Sequence, residues 1–188
     1  MPSIRTFIAF DTPPGIRKEM SDLQSRLRKS GADVRWESPE KFHATIKFLG
    51  DVEETQLPGV LAKIRETGGL HRSFEIVYKS VGGFPDVTNP RVVWIGCENP
   101  DGRLLLLKNA LDTALLPYGF EIEARPFHPH ITLGRVKSTR GKFDLTSMIE
   151  KVTLEPRVAA VAEIIVVKSA LRPQGAEYTV VQNITLQP

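Results

Sequence analysis

Apolar and polar positions alternate between two periods along this chain, and each change of period marks an element. Ile4 to Phe10 reads as a strand. Asp11-Thr12 followed by Pro13-Pro14 is a helix start, with Ile16, Met20, Leu23 and Leu27 on one face and Gly31 as its stop. Short strands follow at Asp33 to Trp36, before the Ser38-Pro39 turn, and at Phe42 to Leu49. Leu57, Val60, Leu61 and Ile64 outline a second helix, with Pro58 clouding its start. Phe74 to Val81 and Arg91 to Cys97 read as strands. Asn99-Pro100 opens a third helix with Leu104, Leu107, Leu111 and Ala114 or Leu115 inward. Beyond it the pattern is mostly strand: His130 to Val136, Val158 to Ala170 and Tyr178 to Leu186, with a short helix expected within Phe143 to Lys151. Strands next to hairpin-like turns predict an α+β fold with mostly antiparallel sheet.

One pattern recurs. Residues 43–46 read His-Ala-Thr-Ile and residues 130–133 read His-Ile-Thr-Leu, 87 residues apart in a chain of 188. Each opens a strand-like segment, which suggests a duplicated unit. Alternate side chains of a strand share a face, ~6.6–7 Å apart. On that rule Phe42, Ala44, Ile46 and Phe48 form one apolar face, and His43, Thr45 and Lys47 form the other. In the second copy Pro129, Ile131 and Leu133 oppose His128, His130 and Thr132. If the two halves pack about a pseudo-two-fold axis, a cleft between them holds two His and two Thr.

Such a constellation suits two proton transfers on opposite sides of one centre. Phosphodiester hydrolysis needs a base for the attacking water and an acid for the leaving oxygen, roughly in line. Two imidazoles of ordinary pKa ~6.5 supply both near neutral pH. The Thr hydroxyls can bond non-bridging phosphate oxygens, and Lys47 and Arg135 are the candidate cations.

With these residues in place, the sequence resembles the 2H phosphoesterases, named for two H-x-[ST]-x motifs. It is most similar to their RNA 2′,3′-cyclic phosphodiesterase branch, historically called 2′-5′ RNA ligases. The resemblance spans nearly the whole chain: Arg5 to Phe10, FHATIKFLG from Phe42 to Gly50, Gly82 to Pro85, Pro90 to Gly96, and PFHPHITLGR from Pro126 to Arg135. It implies a single domain over residues 1–188, made of two pseudo-symmetric α+β lobes. Each lobe would carry an antiparallel sheet and outer helices, and the two would flank a central cleft. It also implies metal-independent opening of a terminal ribose 2′,3′-cyclic phosphate to a 2′-phosphomonoester, with reversible 2′-5′ ligation in some members. No cofactor and no metal are expected. The resemblance makes His43 and His130 the catalytic pair, with His43 protonating the leaving 3′-oxygen and His130 activating water. Thr45, Thr132 and Arg135 become the phosphate ligands. Lys47, Phe84 and His128 remain candidate substrate contacts. Phe84 is the best base-stacking candidate because the Gly-Gly-Phe-Pro turn exposes it; Trp94 is expected in the core.

Composition narrows the partners. The net charge of +3 and a pI near 9.1 permit an anionic partner without demanding an extended nucleic-acid groove. They suit RNA with a 2′,3′-cyclic phosphate end, or a small cyclic nucleotide. One cysteine, Cys97, excludes an internal disulfide and a Cys-rich zinc site. The longest apolar run, Val158 to Val167, is broken by Glu163 and falls far short of the ~20 residues of a membrane span. With no signal-peptide pattern at Met1 to Pro14, a cytoplasmic monomer is expected.

Two other readings compete. His43, His128 and His130 could form a three-His zinc site with an open fourth position, but that leaves the repeated Thr unexplained. The fold could also serve as a non-catalytic RNA- or nucleotide-binding module; two intact motifs argue against it.

Overall fold

The computed structural model describes residues 2–172 and 175–188. Among the described residues nine strands and four α-helices follow in the order β1 (Ser3–Asp11), α1 (Pro14–Leu27), β2 (Val34–Trp36), β3 (His43–Glu53), α2 (Leu57–Gly68), β4 (Phe74–Phe84), β5 (Val92–Glu98), α3 (Arg103–Leu115), β6 (His130–Val136), α4 (Lys142–Glu150), β7 (Arg157–Val161), β8 (Glu163–Arg172) and β9 (Gly175–Thr185). Pro58 sits in the first turn of α2, where a missing N–H costs nothing, so the helix is not broken. The third helix starts later than Asn99-Pro100 suggested. The side chains of Asn99 and Asp101 cap it instead, accepting from the N–H groups of Leu104 and Arg103.

All strands join one sheet in the order β7-β4-β5-β6-β3-β1-β8-β9, with β2 added on β6, and every ladder is antiparallel. At its middle β3 and β6 share a single bridge, Ala44↔Ile131. That narrow joint divides the sheet into lobe one (β3, β1, β8, β9) and lobe two (β2, β6, β5, β4, β7). The expected Val158–Ala170 strand therefore splits at Ala162: β7 ends on β4 in lobe two, and β8 begins on β1 in lobe one.

The lobes are not the two halves of the chain. β1-α1-β3-α2-β4 matches β5-α3-β6-α4-β8 in order. Yet β4 completes the ladder of β5, and β8 completes that of β1. Helices cross over too. α1 follows β1 but covers lobe two, where Gln24 donates to the carbonyls of Glu37 and Leu133 at 2.6 and 2.9 Å. α3 follows β5 but covers lobe one, through Asp112 and Lys47.

The helices bury one face of the sheet, and Ile8, Phe10, Phe42, Ile46, Ile95, Leu111, Ile131 and Leu133 belong to that core. The opposite face is the concave one. There Phe7, Ala9 and Val167 form a small second cluster, with Ile165 and Tyr178 against it.

Candidate active site

Each motif is positioned by a β-bulge at its fourth residue. On β3 the partners run His43↔Asp11, Thr45↔Ala9, then Lys47↔Ile8 and Phe48↔Phe7. Ile46 is thus the extra residue. On β6 they run His130↔Gly96, Thr132↔Trp94, then Gly134↔Val93 and Arg135↔Val92, so Leu133 is the extra residue. Both bulge residues are buried in the core. A bulge shifts the alternation by one position. Three side chains of each strand therefore face the cleft on evenly spaced rungs: His43, Thr45 and Phe48 on β3, and His130, Thr132 and Arg135 on β6.

The same shift corrects the Lys47 expectation. Lys47 turns away from the cleft and is 2% exposed. Its ammonium donates to Asp112 Oδ1 at 2.6 Å and to the Glu121 carbonyl at 2.8 Å, while Lys108 holds the other Asp112 oxygen. Strict alternation had placed Lys47 beside His43 and Thr45 as a substrate contact; the bulge spends it on a buried ion triad. At the matching place on β6 stands Gly134, where a Cβ would meet Val34 and Trp36 of β2 at 2.7 and 2.8 Å.

Counting outward from the Ala44↔Ile131 bridge sets His43 across from Thr132 and Thr45 across from His130. The two imidazoles then occupy diagonal positions, which lie ~7–8 Å apart in an antiparallel pair. Both rings are anchored alike. His43 Nδ1 lies 2.7 Å from the Lys41 carbonyl, and His130 Nδ1 lies 2.7 Å from the His128 carbonyl. A carbonyl only accepts, so each Nδ1 carries the proton and each neutral ring keeps Nε2 for chemistry. Aromatic neighbours fix the rings. Phe7 stacks on His43 at 4.8 Å and Tyr178 meets it edge-on at 5.2 Å; Phe84 meets His130 edge-on at 4.8 Å.

Burial pulls both imidazoles below the ordinary histidine value. The Lys41 carbonyl and the Asp11 carboxylate partly restore His43. At His130 the His128 carbonyl works the same way, but His128 and Arg135 push further down. The two rings share a scaffold and differ in their charged neighbours.

The cleft has a volume of about 570 Å³. His43, Thr45, His130, Thr132, Arg135 and Phe84 all line it. Phe84 also braces His130 and packs on Trp94, which lies on the cleft face and is half-buried, not in the core as its sequence suggested. His128 is brought near but does not line the cleft. Its ring packs on Trp94 and Phe84, and its carbonyl is the part that serves. The three imidazoles do not converge as a zinc site requires. Among the described residues no three His, Cys, Asp or Glu side chains gather closely enough to hold a metal ion.

Several cleft residues are not legible in the sequence, among them Arg35, Lys41, Phe7 and Tyr178. Arg35 carried a faint signal, since Val34 and Trp36 flank it on the apolar face of a short strand. Lys41 carried none: its carbonyl anchors His43, and its ammonium donates to the Ala176 carbonyl of β9.

The LigT-like phosphoesterase family model matches residues 10–94 and again residues 95–178. The RNA 2′,3′-cyclic phosphodiesterase of Methanothermobacter thermautotrophicus is 37% identical over 177 residues, covering 94% of this chain and 95% of that protein. The protein of the same name from Thermotoga maritima is 36% identical over 94% and 92%. Among solved structures, E. coli LigT complexed with 3′-AMP superposes with a TM-score of 0.79 at 25% identity over 99% of both chains. A Thermus thermophilus protein does so with 0.81 at 26% identity over 98% of both. A match to each half in turn, laid over two lobes with one His-x-Thr strand apiece, places this chain in the LigT-like phosphoesterase family.

Proposed function

We propose that this protein is an RNA 2′,3′-cyclic phosphodiesterase that opens a terminal cyclic phosphate to a 2′-phosphomonoester without a metal. The observation that carries the proposal is the doubled imidazole. Two rings, each held through Nδ1 and each beside a Thr, offer two Nε2 atoms to one cleft. His130, whose charged neighbours disfavour its cation, takes a proton from water as the water oxygen bonds to phosphorus. His43, favoured as a cation by Asp11, gives its proton to the 3′-oxygen as the P–O3′ bond breaks. Thr45 and Thr132 donate to the non-bridging oxygens and hold them in line. Replacing water by an RNA 5′-hydroxyl gives the 2′-5′ ligation step, which microscopic reversibility permits.

The substrate is RNA with a cyclic phosphate end or a small cyclic nucleotide, and we place this work in a cytoplasmic monomer. Among the described residues no helix is long and apolar enough to cross a membrane. The test is product analysis on an oligonucleotide ending in a 2′,3′-cyclic phosphate, with EDTA present. A 2′-phosphate product is expected. A 3′-phosphate would reassign the bond that breaks. Tight binding with no product in a single turnover would favour the non-catalytic module.

A further inference from the structure

The bulged strands place two arginines side by side in the cleft. Arg35 on β2 and Arg135 on β6 are direct cross-strand partners, and both side chains line the cleft. Like charges facing across a ladder repel each other and destabilise the pair. Glu37 relieves part of it as a loose ion pair, its carboxylate 3.9 Å from Arg135 Nε, without a hydrogen bond. Among the described residues no carboxylate is ion-paired with Arg35. A third cation, Lys41, lines the same cleft two residues before His43 and donates to the Ala176 carbonyl at 2.8 Å. The backbone of Gly175 lies so close to the Arg35 guanidinium that a Cβ there would collide with it. The β8–β9 hairpin thus reaches across from lobe one and holds this cationic group in place.

Position decides what the group binds. Arg135 stands one rung beyond Thr132, ~7 Å along the strand. An extended arginine spans about that length, so Arg135 can reach back toward the phosphate between the Thr hydroxyls, and its charge acts on His130, whereas Arg35 is carried one strand farther out on β2, on the order of one nucleotide repeat from that phosphate. Arg135 lies on the His43 side, because Thr132 faces His43 across the central bridge. On the proposed mechanism His43 protonates the 3′-oxygen, so the ribose carrying that oxygen lies at this end and its 5′-oxygen continues outward.

We infer that Arg35, with Lys41 beside it and Arg135 shared with the reacting phosphate, binds the internucleotide phosphate immediately 5′ of the cyclic end, and so selects RNA ends over free cyclic mononucleotides. Guanidinium groups suit this task, since their fixed fork can grip phosphate oxygens in pairs. On the matching rung of lobe one stands Phe48, 57% exposed and uncharged, and Arg5 on β1 is a further cation of the cleft lining.

This inference rests on the proposed activity, and the test separates the two. Three substrates are compared: a nucleoside 2′,3′-cyclic phosphate, a dinucleotide ending in one, and the same dinucleotide with an uncharged methylphosphonate linkage. Wild-type protein should prefer the natural dinucleotide in kcat/KM and lose that preference with the methylphosphonate. In Arg35→Gln the ratio of dinucleotide to mononucleotide kcat/KM should fall about tenfold, mainly through KM, as expected for a charged hydrogen bond lost. Arg35→Lys should restore part of it. The salt dependence of dinucleotide KM should weaken in Arg35→Gln, because fewer counterions are released. Equal wild-type rates on the natural and methylphosphonate dinucleotides would overturn the inference. So would an equal loss on all three substrates in Arg35→Gln, which would put Arg35 on the reacting phosphate. No turnover of any of the three by the wild type would overturn the proposed activity, and the inference with it.

Discussion

His43 and His130 make the same bond through Nδ1, so what separates them lies one side chain away. Asp11 is the ladder partner of His43 and favours its cation, although Arg17 holds the same carboxylate at 2.7 Å. The ladder partner of His130 is the uncharged Gly96, and this ring feels His128 and Arg135 instead. The sign follows directly. With His130 as the proposed base and His43 as the proposed acid, the base must be neutral, so the rate should rise with pH through the His130 titration. An acid must be protonated, so the rate falls with pH through that of His43. Burial lowers both, and the bell in kcat/KM should therefore sit to the acid side of one built from ordinary imidazoles. In Asp11→Asn the cation of His43 loses support, and the falling limb should move to lower pH while the rising limb stays. Movement of the rising limb instead would exchange the two roles. His43→Ala or His130→Ala should each cost about 10²–10⁴-fold in kcat, the usual worth of a general acid or base. Wild-type-like turnover in either variant would remove that His from the mechanism.

Bulges at Ile46 and Leu133 carry the element-scale consequences, and no two-residue period could reveal them. The repeated His-x-Thr was legible because its members precede the bulge, where alternation still holds. Lys47 was misplaced because it follows the bulge. Strict alternation would put Arg135 on the face opposite His130, and the bulge is what returns it to the His130 face. The Leu133 carbonyl, displaced from the ladder, accepts from Glu37 N–H and from the buried Gln24 amide, both at 2.9 Å. In lobe one the triad of Lys47, Asp112 and Lys108 ties the bulged strand to α3 and, through the Glu121 carbonyl, to the loop leading to the second motif. Burial alone would raise the Asp112 carboxyl; hydrogen bonds from Lys108 and Lys47 outweigh it and hold the group below the usual range. A depressed carboxylate stabilises the fold fully above its unfolded pKa of ~3.9, and that stability is lost as pH falls through the folded value. Asp112→Asn strands two buried ammonium groups and should cost about 3–5 kcal/mol in urea unfolding at pH 7. Lys47→Met leaves Asp112 paired with Lys108 and should cost less. The gap between the two variants should shrink as pH falls below about 4, where the Asp112 that Lys47→Met retains takes up its proton in the unfolded chain. A gap that persists would mean that the triad's charge is not what the fold depends on.

At the scale of the molecule, an 87-residue offset correctly announced a repeat, and a pseudo-symmetric cleft follows from it. The offset could not announce that a repeat is not a lobe. Strand pairing is non-local, and nothing in the pattern of β4 says that it will lie on β5 and not on β1. The run from Val158 to Val167 looked continuous because β7 and β8 are equally apolar, yet its parts serve different lobes on either side of Ala162. The exchange has a mechanical result. Lobe one cannot form until β8 and β9 have been supplied from the C-terminal half, and lobe two cannot be covered without α1 from the N-terminal half. Every helix contributes to one buried cluster that spans both lobes, so the main core is shared. The chain should therefore unfold as one unit: calorimetric and van't Hoff enthalpies should agree, and far-ultraviolet and tryptophan signals should report one midpoint. Trp36 and Trp94 both lie in lobe two, on β2 and β5, so a separate early loss of lobe one would appear as a helical transition that tryptophan fluorescence does not follow. Two midpoints would show that the single Ala44↔Ile131 bridge, and not the crossed strands and helices, sets the coupling between the lobes. One midpoint would mean that the distance between the two imidazoles is fixed by the whole fold, which a reaction with an acid and a base on opposite faces of one phosphorus requires.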